Sequence, residues 1–157
     1  MTGSTNFSDA EWTILTRLPK AVALAVMAAE AGGRDQIETE RLALDQALQE
    51  STSDRERPLV RRVADEIQPL DDFVPQRLEF APLLIDALNL SGQAAALLLV
   101  KAPAEDSKAY RQWLLTLGER VAGAAKEGGL FGIGAARVTE KEKAVLTVLG
   151  TALAVDR

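Results

Sequence analysis

The chain is expected to fold as an all-α protein, a single compact domain of about seven helices. Three observations predict it. Apolar residues recur at helical intervals through most of the 157 residues, and no segment sustains β alternation. Two capping-box patterns, Ser8-Asp9-Ala10-Glu11 and Thr139-Glu140-Lys141-Glu142, mark helix starts. The segment Ala28-Ala29-Glu30-Ala31-Gly32-Gly33 returns as Ala124-Ala125-Lys126-Glu127-Gly128-Gly129. Each copy ends an Ala-rich pattern begun by a tryptophan, Trp12 or Trp113, and each precedes an acidic helix start.

Taken in order, residues 1–7 are small and polar and are expected to form a disordered tail. The Ser8/Glu11 box opens the first helix. Pro19 either kinks that helix or opens a second at its first position. Val22 to Glu30 is a buried pattern that stops at Gly32-Gly33, since Gly tolerates the left-handed cap. Asp35 starts the next helix, with Ile37, Leu44 and Leu48 on one face. Glu50 to Asp54 is a polar link. Leu59, Val60, Val63, Ala64 and Ile67 then follow an amphipathic pattern.

Pro69 to Pro75 is expected to be a loop. Leu78, Ala81, Ile85 and Leu88 form another stripe, which Ser91-Gly92 is expected to break. Ala94 to Val100 is apolar all round and is expected to be deeply buried. Pro103 opens the longest helix, to about Lys126. Tyr110, Trp113, Leu114, Leu117, Val121 and Ala124 mark one face of it. Gly118, Ala122 and Ala125 beside them invite a close helix contact. Val145, Leu146, Leu149 and Leu153 carry the last helix.

Composition narrows the chemistry. The chain has no Cys and no His. That removes disulfides, thiolate nucleophiles, His-assisted serine chemistry and His-ligated metals. Net charge is −5, so nucleic-acid phosphates are repelled and no nucleic-acid partner is expected. Arg55, Arg57, Arg61 and Arg62 are interleaved with acids, the pattern of a salt-bridged, solvated face. The N-terminus lacks a signal-peptide pattern, and uninterrupted apolar runs fall short of the ~20 residues of a membrane span. A cytoplasmic protein without membrane contact is the expectation.

Two groups of residues are candidate sites. In the loop from Gly128 to Ala136, four glycines surround Leu130, Phe131 and Ile133, which could touch a partner or lipid. The loop matches neither a dinucleotide nor a P-loop fingerprint, and a packed Ω-like loop is the plainer reading. Carboxylates cluster near both Gly-Gly turns, including Glu30, Asp35, Glu38, Glu40, Glu127, Glu140 and Glu142. Hard oxygen ligands suit Ca²⁺ or Mg²⁺. Helix capping and the helix dipole explain acids there equally well.

The doubled unit of helix, Ala-Ala-x-x-Gly-Gly, loop and acidic helix start resembles the TerB-like helical domains associated with tellurite resistance. The stretch from Tyr110 through Phe131-Gly-Ile-Gly134 to Glu142 is similar to a group of uncharacterised bacterial proteins. The resemblance implies pseudo-twofold internal organisation and a loose link to stress or metal-resistance systems. It carries the downstream turn acid over to Glu40 and Glu142, as possible metal or partner contacts. The turn Asp of that family has no counterpart, since Ala31 and Glu127 stand before the glycines.

The functional expectation is a non-enzymatic module with no resident cofactor, binding a protein partner or itself as a homodimer. The Tyr110 to Ala124 face is the expected source of spare apolar surface. The alternative is a Ca²⁺ or Mg²⁺ binding or sensing domain that uses Glu40 and Glu142.

Overall fold

The computed structural model describes residues 6–29, 34–67, 78–127 and 140–155. Among the described residues there are six α-helices and no strand. They are α1 Asp9–Ala29, α2 Arg34–Ser51, α3 Pro58–Glu66, α4 Phe80–Lys101, α5 Ala104–Glu127 and α6 Glu140–Ala152. The fold is all-α, as expected, but the expected count of about seven is not met among these residues. The break expected at Ser91-Gly92 is absent, since both lie inside an unbroken α4, and of the two alternatives at Pro19 the second helix start does not occur, since Pro19 lies inside α1. A glycine in a helix interior costs only about 1 kcal/mol relative to Ala, too little to stop a helix held by packing.

Local chemistry sets the helix ends. The Ser8 N–H donates to Glu11 Oε1 at 2.8 Å and the Glu11 N–H to Ser8 Oγ at 3.1 Å, a reciprocal capping box. Phe7, assigned by composition to the tail, packs on Trp12 with ring centroids 5.9 Å apart. Between α2 and α3, Asp54 Oδ1 accepts from the backbone N–H groups of Glu56 and Arg57, both at 3.0 Å. Pro58 then begins α3, where no N–H is required. At the end of α6 the Val155 N–H donates to Gly150 O (2.9 Å) and the Ala154 N–H to Thr151 O (3.0 Å). This is a Schellman closure, with Ala154 at a left-handed φ of 59°. Arg111 of α5 donates to the Leu153 and Ala154 carbonyls at 3.1 and 2.6 Å, placing a cation on a helix C-terminus.

The core forms around α1, which buries Leu15, Leu18, Pro19 and a continuous run from Ala21 to Met27. Helix α1 packs most extensively on α4 and then on α5. Helix α2 packs on α5, α3 on both α2 and α5, and α6 on both α4 and α1. The small-residue strip of α5 permits close approach. A Cβ on Gly118 would meet Leu146 of α6 at 2.6 Å and Val22 and Val26 of α1 at 3.5 Å. Tyr110 and Trp113 anchor this centre, both essentially buried, their rings 5.9 Å apart.

One buried bond ties α5 to the proline of α1. Pro19 has no N–H, so it cannot pair with the carbonyl four residues earlier, that of Leu15. The Tyr110 hydroxyl donates to that carbonyl at 2.7 Å. The apolar face from Tyr110 to Val121 therefore belongs to the core: Tyr110, Leu114 and Val121 are fully buried. It is not the spare surface expected for a homodimer, because α1, α2 and α6 already cover it.

Candidate functional site

Two places stand out, one inside and one outside. Inside are Glu40 of α2 and Glu142 of α6, each with no exposed surface. Other acids near these helix starts behave differently. Glu38 is exposed and pairs with Arg41, and Glu140 is exposed near Lys143 at 3.7 Å. Capping and the helix dipole account for exposed acids. They do not account for full burial, which is costly for a carboxylate and calls for specific stabilisation. Gln36 Nε2 donates to Glu40 Oε2 at 3.4 Å. No group of three acidic or other metal-ligating side chains is assembled among the described residues. The expected contact residues Leu130, Phe131 and Ile133, and the cap residue Thr139, lie outside the described residues.

Outside is α4. The segment Ala94 to Val100, expected to be deeply buried, is not. Leu98 is fully buried, while Leu99 is 84% and Val100 79% exposed. Ile85 is 58% exposed. The reason is geometric. Ala87, Leu90, Ala94 and Leu98 take the side of α4 that meets α1 and α6, and the opposite side is left exposed among the described residues. Along that exposed side run Ile85, Asn89, Gly92, Gln93, Ala96, Leu99 and Val100, apolar and polar residues mixed, while Leu88 packs against the core. A Cβ on Gly92 would meet nothing within 4 Å.

Helices α1 and α4 both have the length and composition of a membrane span. Burial separates them, since α1 is the core helix and α4 is not.

Two clefts also open on the described surface. One of about 260 Å³ lies beside the α4–α5 corner, lined by Phe7, Pro58, Leu59, Ala102 and Pro103, with Lys101 and Asp106 among its polar residues. Lys101 is held there by Glu11 at 2.7 Å, which pulls the Glu11 carboxyl below its usual range. The other, of about 270 Å³, lies against α2 and α5. Its charges pair with one another: Arg120 with Glu50 at 2.7 Å and Arg57 with Asp54 at 2.6 Å. The Trp113 ring N–H is taken by Ser51 Oγ at 2.9 Å. Neither cleft brings two desolvated carboxylates together for acid–base work.

No family model, curated protein or solved structure matches the chain. Function therefore has to be argued from the buried acids and the bare helix face.

Proposed function

We propose that the chain is a non-enzymatic helical module that acts by binding a protein partner or a second copy of itself. The reading includes a TerB-like organisation, a cytoplasmic setting and a loose link to tellurite-resistance or stress systems. The observation that carries it is the exposure of Ile85, Leu99 and Val100 on α4. Large apolar side chains left together in solvent are a feature of interaction sites.

The TerB-like part is supported by a correspondence in packing. Helices α1 and α5, which carry the two copies of the motif, pack on each other. Helix α2 packs on α5 as α6 packs on α1, and α3 joins α2 and α5 as α4 joins α6 and α1. The two acids singled out by the resemblance, Glu40 and Glu142, share full burial. The non-enzymatic part is supported by the lack of His and Cys and by the internal pairing of charges in the α2–α5 cleft.

Sedimentation velocity and light scattering across the micromolar range test the reading. The expected result is reversible self-association that Leu99→Glu weakens. A strict monomer throughout that range removes the self-assembly arm.

The burial of Glu40 and Glu142 favours one second reading, a divalent-cation site or sensor. Ca²⁺ and Mg²⁺ are the ions suited to carboxylate oxygens. Calorimetric titration and melting with millimolar Ca²⁺ or Mg²⁺ decide it. A rise in melting temperature that Glu40→Gln abolishes supports it, and no heat and no shift dismiss it.

A further inference from the structure

We draw no further inference here: the strongest candidate, the exposed side of α4 on which Ile85, Leu99 and Val100 lie among the polar side chains of Asn89 and Gln93, is a surface patch for which nothing in the structure shows what covers it.

Discussion

Helices α1 and α4 are nearly the same length, 21 and 22 residues, and both are strongly apolar. They have opposite fates. More than half of the apolar stretch of α1 is buried, and little more than a quarter of that of α4. Helix α1 is enclosed because α4, α5 and α6 all pack on it. Helix α4 packs mainly on α1 and α6, and its Ile85, Leu99 and Val100 stay exposed. The lesson is that apolar composition states how much surface a helix can bury, and only its neighbours decide how much it does.

The sharpest way to break this comparison uses two adjacent leucines of α4. Leu98 faces the core and is fully buried, while Leu99 is 84% exposed. Leu98→Ala is expected to destabilise the fold by about 2–5 kcal/mol, the range for emptying a packed leucine site. Leu99→Ala is expected to fall within about 0.5 kcal/mol at concentrations where the chain is monomeric. Urea unfolding at low protein concentration checks both. Equal losses would mean that Leu99 is covered within the monomer, and the contrast between the two helices would disappear.

The second test concerns how the enclosed helix tolerates its proline. Tyr110→Phe removes the donor to the Leu15 carbonyl and is expected to cost about 1–3 kcal/mol, the penalty for an unsatisfied buried acceptor. Replacing Pro19 with Ala supplies an N–H in its place. The double variant Pro19→Ala/Tyr110→Phe is therefore expected to lose less than the two single losses combined. Strict additivity in the cycle would show that the hydroxyl and the proline are unrelated.

The same tyrosine predicts a pH dependence. Complete burial pushes its phenol well above the ordinary value near 10. Below about pH 10 both folded and unfolded chains keep the proton, so the group has no effect on stability there. Above it the unfolded chain loses the proton first, and stability falls as pH rises towards the folded value. The fall approaches about 1.4 kcal/mol per pH unit for one proton. Lys20 moves the other way, since partial burial lowers its pKa, so the difference between wild type and Tyr110→Phe isolates the phenol. Denaturation at pH 9 and 11 measures it. Equal pH dependence in the two proteins would contradict the assignment. The chain has a single tyrosine, so its absorbance titration can be read in parallel.

Much of the enclosed half was legible in the sequence. The Ser8/Glu11 box, the Tyr110 and Trp113 anchors and the close approach at Gly118 all follow from local spacing, and the packing uses them as anticipated. The open half was misread for a physical reason. Ser91-Gly92 has the composition of a break, but helix continuity is decided by packing on α1, which outweighs a glycine's propensity cost. Ser91 is itself buried, with no partner for its hydroxyl among the described residues, so it does not signal solvent either. A helix with leucine or valine on every side has little amphipathicity to show which side lies bare. For the acids, position relative to the motif singled out Glu40 and Glu142, but spacing alone could not foretell their burial.

The smallest predicted effect lies at the end of α6, where the chain closes with Ala154 at a left-handed φ of 59°. A Cβ is unfavourable in that conformation, and glycine adopts it without that strain. The cap is otherwise complete, with the Val155 and Ala154 N–H groups on Gly150 and Thr151 carbonyls and Arg111 on the last two carbonyls. Ala154→Gly is therefore expected to raise stability by about 0.5–1 kcal/mol, the conformational relief exceeding glycine's added entropy when unfolded. Arg111→Met in the same background separates the contributions. It removes the donated bonds, one of them to the Ala154 carbonyl itself, so the double variant is expected to show coupling between the cap and the guanidinium. A destabilised Ala154→Gly chain would mean that the left-handed turn is not the conformation the folded protein holds at this cap. Because α6 packs on both α1 and α4, hydrogen exchange along it after this change would also show how firmly the enclosed and open helices are joined.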